Sequence, residues 1–284
     1  MSKKSFTVII SKKIKNYNKK IIVDFDKSIS IRSFLIGSIS QGISEFKNIL
    51  ESEDVFSTIS CLKNLGVKII KKKKGNYLVY GKGLGSLKIK KNKILNCGNS
   101  GTLARLLIGI MSTNPKIKVK LKGDQSLNKR SMKKLINLMS EFGATFHPVN
   151  KFNYPMEIVS SEMPIGINYK SRVSAQLKSA VIFAGLNSYG VTNILEEKKS
   201  RNPTENMLLQ NSKFIKIKQD SKKRNLIKIN VKQFLKPLKL NIPSDPSSAA
   251  FFTALTLLGK NNFLIIKNVG LNPRRIGYYK LLKK

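Results

Sequence analysis

The sequence predicts an α/β protein built from repeats of one unit, and three observations carry that expectation. Four segments share small polar residues followed by an apolar helical run: KSISIRSFLIGSIS from Lys27, NSGTLARLLIGIM from Asn99, SAQLKSAVIFAGL from Ser174 and SSAAFFTALTLLG from Ser247. Aligned on Ser28, Ser100, Ser174 and Ser247, they recur at spacings of 72, 74 and 73 residues. A second series of helices starts at Ser52, Ser126, Ser200 and Asn272, at spacings of 74, 74 and 72. Between the helices lie short β-type stretches such as YLVYG, KIKVKLKG and LIKINV.

Taken in order, each unit opens both of its helices with Ser or Asn, residues whose side chains satisfy the orphan N–H groups of a helix start. Gly66 and Gly143 close the second helix of units one and two and lead into a strand. The period exceeds that of solenoid repeats, so each unit reads as a small layered subdomain. The fourth unit stops at Lys284, inside its second helix and before any strands, and by the internal pattern it reads as incomplete.

Composition narrows the function classes. The 284 residues suffice for one large domain or two ordinary ones, and 41% hydrophobic content supports a real core. Lys plus Arg is 54 against 15 acids, a formal charge of +39. Only eight of those cations are Arg, and the lysines run from Lys3 to Lys284 without forming a stripe. Base and phosphate recognition in nucleic acids favours Arg, so a lysine-biased composition explains the charge more plainly. Cys61 and Cys97 are too few for a disulfide framework or a four-Cys zinc site, and His147 is the single histidine. His147 and Cys97 read as structural, Cys97 within a buried strand, and Lys71 to Lys74 read as a solvated loop. The apolar run from Phe6 to Ile10 is too short for a signal peptide, and no stretch approaches a membrane span. The expectation is a soluble, reduced, cytoplasmic protein with neither a membrane nor a nucleic-acid partner.

In a chain this rich in lysine, the positions of arginine are informative. Arg32 and Arg105 lie in the first turns of matching helices, Arg130, Arg201 and Arg275 open second helices, and Arg172 precedes Ser174 by two residues. Helix N-termini favour anions, and guanidinium forks suit phosphate and carboxylate. Any one of these arginines also reads as a solvated charge, and Ser28, Ser100, Ser174 and Ser247 also read as plain N-caps. Six arginines at helix entrances point to a small polyanionic ligand where several helix starts converge.

Seven stretches in register resemble the 5-enolpyruvylshikimate-3-phosphate (EPSP) synthase family: DKSISIRS (26–33), NCGNSGTLARLL (96–107), GDQSLNKRSM (123–132), SAQLKSAVIFAGL (174–186), SRNPTENML (200–208), IPSDPSSAAFF (242–252) and VGLNPRRIG (269–277). The resemblance implies an enolpyruvyl transferase fold, with repeated βαβαββ units around two domains. Residues 22–241 would form a complete three-unit domain. Residues 1–21 plus 242–284 would form part of a second, of which only the beginning is present.

The implied reaction transfers the enolpyruvyl group of phosphoenolpyruvate to the 5-hydroxyl of shikimate 3-phosphate and releases phosphate, in aromatic amino acid biosynthesis. The resemblance assigns Lys27, Ser28, Arg32, Ser174, Gln176 and Arg201 to shikimate 3-phosphate. It assigns Lys27, Gly101, Arg130 and Gln176 to phosphoenolpyruvate. It also implies a monomer, and no metal or organic cofactor, since phosphoenolpyruvate brings its own activated group. The family's acid–base carboxylates lie beyond the position matching Lys284, so no catalytic acid or base is named, and the chain alone is expected to lack turnover. Departures from the family pattern at Asp24-Phe25, Ile31, Ser131 and Asn202-Pro203 bear on details of the hinge and the shikimate side. The alternatives are the related enzyme acting on UDP-N-acetylglucosamine, whose usual Cys is missing from GDQSLNKRSM, and a basic nucleic-acid-binding protein.

Overall fold

A helix that is apolar nearly all round calls for burial nearly all round, and three of the chain's four such segments have it. They form the centre of the protein in a computed structural model, which describes residues 9, 16–90, 93–210, 214–230 and 234–283. After a short strand β1 (Asn18–Ile21), the first unit runs α1 (Lys27–Ile39), β2 (Gln41–Lys47), α2 (Glu53–Asn64), β3 (Lys68–Lys73) and β4 (Asn76–Lys82). The second is β5 (Leu95–Asn96), α3 (Gly101–Thr113), β6 (Lys118–Lys122), α4 (Gln125–Asn128), α5 (Lys133–Glu141), β7 (Thr145–His147) and β8 (Met156–Val159). The third is β9 (Asn168–Ser171), α6 (Ala175–Gly185), β10 (Thr192–Glu196), α7 (Pro203–Leu209), β11 (Ile215–Gln219) and β12 (Asn225–Ile229). The described chain ends with β13 (Lys239–Asn241), α8 (Pro246–Leu258), β14 (Phe263–Ile266) and α9 (Gly277–Leu282).

The units share one sheet plan. The strand orders are β13-β2-β4-β3, β5-β6-β8-β7 and β9-β10-β12-β11, and in each the first pair is parallel and the other two antiparallel. In units two and three the parallel pair flanks the inner helix as a βαβ crossover. In unit one that edge is supplied by β13, from far downstream. The segment leading into it is laced to β2 by Gln41 N–H on the Leu235 carbonyl and Glu45 N–H on the Leu238 carbonyl, both at 2.8 Å.

The inner helices α1, α3 and α6 form the core. Ile31, Phe34, Leu35 and Ile36 of α1 are buried, with Phe34 edge-on to Phe46 and Tyr77 at centroid distances of 6.0 and 5.3 Å. Helices α3 and α6 pack tightly because Gly109 faces the α6 backbone: a Cβ there would sit 2.5 Å from the Ala180 carbonyl oxygen. The outer helix α2 is amphipathic, burying Val55, Thr58, Cys61 and Leu62 at helical spacing. Helix α8 differs: Pro246 and Ala249 are buried, while Phe251, Phe252, Leu255, Leu257 and Leu258 are exposed. Strand β14 pairs in parallel with β1.

Several local expectations are corrected. Ser100 and Ser174 do cap α3 and α6, accepting from Leu103 N–H and Leu177 N–H at 3.3 Å. Asp26 rather than Ser28 caps α1, because its carboxylate reaches the Ile29 N–H at 2.9 Å, and Asp245 likewise caps α8 through Ser247 N–H at 2.7 Å. The helix expected from Ser126 is two helices. Lys129 and Arg130 would each face a lysine four residues on in a continuous helix, which is repulsive. Met132 N–H instead leaves the helical pattern for the Phe152 carbonyl, at 2.7 Å. The helix expected from Ser200 starts at Pro203, a residue suited to the first helical turn. Lys71 to Lys73 lie on the exposed face and edge of β3 rather than in a loop, and Cys97 is buried just after β5 rather than within a strand. Gly66 and Gly143 end α2 and α5 with φ of +82° and +93°, as expected.

Candidate functional site

The N-terminal turns of α1, α3 and α6 meet at one end of the core, and two clusters of cationic and hydroxyl side chains form there. In the first, Arg32 lies on the second turn of α1 and is 2% exposed. Its Nε donates to Thr204 Oγ1 at 2.8 Å, its Nη1 to the Ser28 carbonyl and hydroxyl at 3.0 and 2.9 Å, and its Nη2 to Ser179 Oγ at 3.4 Å. Ser179 and Thr204 hydroxyls also bond each other at 2.8 Å.

All of these partners are neutral. Among the described residues Arg32 forms no ion pair with a carboxylate. Burial lowers its pKa to about 10, against the pull of Glu205 and Asp26 at longer range, and Arg201 adds repulsion. A buried charge without a counterion costs several kcal/mol. Arg32 is thus held in place by hydroxyls rather than by a carboxylate, with exposed Arg201 beside it on the loop between β10 and α7.

The second cluster surrounds Gly101, the first residue of α3. Arg105 Nη1 donates to the Gly101 carbonyl and to Gln176 Oε1, both at 3.0 Å, and Gln176 Nε2 donates to Thr102 Oγ1 at 3.0 Å. Arg130 Nη2 donates to Asn99 Oδ1 at 2.8 Å, and Asn99 Nδ2 donates to Asp124 at 2.8 Å. Asn99 thus stands between Arg130 and the nearest carboxylate. Burial and the neighbouring Arg130 both lower the Arg105 pKa. A Cβ on Gly101 would lie 2.8 Å from Arg105 Nη1 and 2.9 Å from Arg130 Nη1, so the absent side chain is what lets both guanidiniums close over the helix start.

The two clusters are joined through α6. Gln176 and Ser179, three residues apart, share one helix face and hold Arg105 and Arg32 respectively. The structure therefore brings together Ser28, Arg32 and Arg201 in one group and Gly101, Arg130 and Gln176 in the other. Ser174 caps the helix that links them. Lys27 begins α1, but its ammonium lies 3.0 Å from the half-buried Asp54 of α2. Arg275 is not available to a ligand: it pairs with Asp26 and with Asp245, at 2.7 Å from the latter. Burial pushes the Asp26 carboxyl up, and Arg275 pulls against it.

Sequence reasoning missed Ser179 and Thr204, ordinary hydroxyl residues until Arg32 is seen between them. It also missed a buried ionic cluster behind Arg201. Lys178 Nζ lies 2.5 Å from Glu196 and 2.6 Å from Glu205, all three essentially inaccessible to solvent. Burial pushes Glu196 up, but Lys178, the Ser200 N–H and Asn225 outweigh it and bring its pKa down to about 2. Among the described residues no group of three His, Cys, Asp or Glu side chains gathers to hold a metal ion.

A family model described as EPSP synthase (3-phosphoshikimate 1-carboxyvinyltransferase) matches residues 11–284. The chain is 37% identical to the 3-phosphoshikimate 1-carboxyvinyltransferase of Zymomonas mobilis, over 97% of its own length and 60% of that relative. It is 41% identical to the protein of the same name from Caldicellulosiruptor saccharolyticus, over 93% of its length and 60% of that relative. The solved EPSP synthase of Acinetobacter baumannii superposes with a TM-score of 0.84 at 33% identity, covering 94% of this chain and 59% of that one. The chain thus spans about 60% of the length of the relatives it matches.

Proposed function

The chain belongs to the EPSP synthase family, and on that premise we propose that it provides a binding surface for shikimate 3-phosphate and phosphoenolpyruvate. The protein's reaction is then transfer of the enolpyruvyl group to the 5-hydroxyl of shikimate 3-phosphate with release of phosphate. One observation carries this reading: Arg32 is buried among hydroxyls with no carboxylate paired to it, in a protein whose ligand would bring the missing negative charge.

Lys27, Ser28, Arg32, Ser174, Gln176 and Arg201 are assigned to shikimate 3-phosphate, and Lys27, Gly101, Arg130 and Gln176 to phosphoenolpyruvate. The bond from Arg105 to Gln176 supports placing the two ligands side by side, with Gln176 between them. Residues 22–241 are read as one domain. The separate β1–β14 pair and the exposed apolar face of α8 support assigning 1–21 and 242–284 to another. A cytoplasmic monomer completes the proposal. No helix among the described residues is long and apolar enough to cross a membrane. None of the relatives named above acts on UDP-N-acetylglucosamine by its name.

Calorimetric titration of the 284-residue chain with shikimate 3-phosphate tests the reading, and saturable one-site binding is the expected result. Absence of that binding, together with RNA or DNA binding that weakens steeply with salt, would overturn it in favour of a nucleic-acid ligand. On the phosphoenolpyruvate side, Gly101→Ala displaces two flexible side-chain ends and no backbone, so the melting temperature should hold. Misplacing two guanidiniums should weaken phosphoenolpyruvate binding roughly tenfold, measured in the presence of shikimate 3-phosphate.

A further inference from the structure

Arg201 sits on a six-residue connection, 197–202, in which Lys198, Lys199 and Arg201 repel one another. Both residues flanking Arg201 are held, Asn202 in part by its own bond to Asn206 at 2.9 Å, and both are also reached by the same distant segment. On one side, Arg274 Nη1 donates to the Ser200 carbonyl at 2.6 Å and reaches Glu196 Oε2 at 3.3 Å. On the other, Asn272 Nδ2 donates to Asn202 Oδ1 at 2.9 Å, while Asn272 Oδ1 accepts from the Arg274 N–H at 2.9 Å.

Glu196 completes the hold by accepting the Ser200 N–H at 2.8 Å and its hydroxyl at 2.9 Å. Ser200 is thereby held at its N–H, carbonyl and hydroxyl. Arg274 also completes the charge balance, because Lys178 alone faces the two buried carboxylates Glu196 and Glu205. Glu205 follows Thr204, the hydroxyl that receives Arg32, so the same buried cluster anchors both ends of the connection.

We propose that Arg274 and Asn272 are positioning residues for Arg201. They touch no substrate, and they set affinity on the shikimate 3-phosphate side by holding the residues on either side of that guanidinium, Ser200 by its carbonyl and Asn202 by its side-chain oxygen. The inference rests on the assignment of Arg201 made under the proposed function.

A double-mutant cycle on the full 284-residue chain tests it, with calorimetric affinity for shikimate 3-phosphate and hydrogen exchange of the 197–204 peptide as the two readouts. Arg274→Ala should weaken binding roughly tenfold in the parent chain and change it little in an Arg201→Ala background, since its effect passes through Arg201. Exchange in 197–204 should accelerate without ligand. Arg274→Lys should restore most of the affinity, because a single nitrogen makes both contacts. Asn272→Ala, which removes no buried charge, should show the same non-additivity at smaller size and serves if Arg274→Ala folds poorly. Equal losses in both backgrounds, or unchanged exchange, would overturn the proposal. If the parent chain fails to bind shikimate 3-phosphate, the substrate assignment fails with it. The exchange measurement then stands alone, and unchanged exchange in Arg274→Ala still refutes the hold.

Discussion

Arg32→Met is expected to remove shikimate 3-phosphate binding while leaving the ligand-free protein as stable as before or more so. The two effects have opposite signs because the guanidinium has no carboxylate bonded to it in the free protein, where Glu205 and Asp26 act only at longer range. A charge-assisted pair of hydrogen bonds to a carboxylate or phosphate contributes about 3 kcal/mol, so affinity should fall at least roughly a hundredfold. In the free protein, methionine fills a similar volume and removes the cost of keeping a charge at 2% exposure. The hydroxyls left behind are not orphaned, since Ser179 and Thr204 already bond each other at 2.8 Å. Thermal unfolding and calorimetry on one preparation give both numbers. A drop in stability as large as the loss of binding would mean that Arg32 is a structural residue.

Lys178→Met is expected to act in the other direction, through the fold. Lys178 lies within 2.6 Å of both Glu196 and Glu205, and removing it leaves two buried carboxylates against one cation, Arg274, which reaches Glu196 alone. Breaking a buried ion pair from one side costs about 3–5 kcal/mol, enough to unfold many domains of ordinary stability. Combining Lys178→Met with Glu205→Gln removes the uncompensated charge, leaves Glu196 paired with Arg274 and should recover much of the loss. Denaturant unfolding of the single and double variants measures this. A single variant as stable as the parent would show that water or rearrangement already relieves the pair.

What the sequence disclosed, and what it hid, follows from what each residue competes with. Arginine is rare here, so Arg32, Arg130 and Arg201 stand out against a lysine background and carry the anion reading. The same background conceals Lys178: one lysine among many looks like surface. Only its isolation within the apolar run SAQLKSAVIFAGL could have marked it as buried. The repeat was legible because helix starts are punctuated by residues with local physical meaning, as the caps at Ser100 and Ser174 illustrate. At Ser28 and Ser247 the cap lies two residues earlier, on Asp26 and Asp245, where a carboxylate also meets Arg275, a long-range pairing no local pattern encodes. Strand β13 was illegible for a related reason, since three residues with polar ends carry no alternation to read.

That three-residue strand has a consequence for how the molecule comes into being. During synthesis the first sheet emerges early, yet its β2 margin can be sealed only after Lys239–Asn241 has left the ribosome, when the two later units are already outside. Until then β2 offers an open row of N–H and C=O groups to any passing strand. The hazard is blunted by Glu45 and Lys47, charges standing along that margin. The first unit's sheet is thus completed by a strand made after all three units, and the slow step of assembly is expected to be that completion rather than the growth of any single unit.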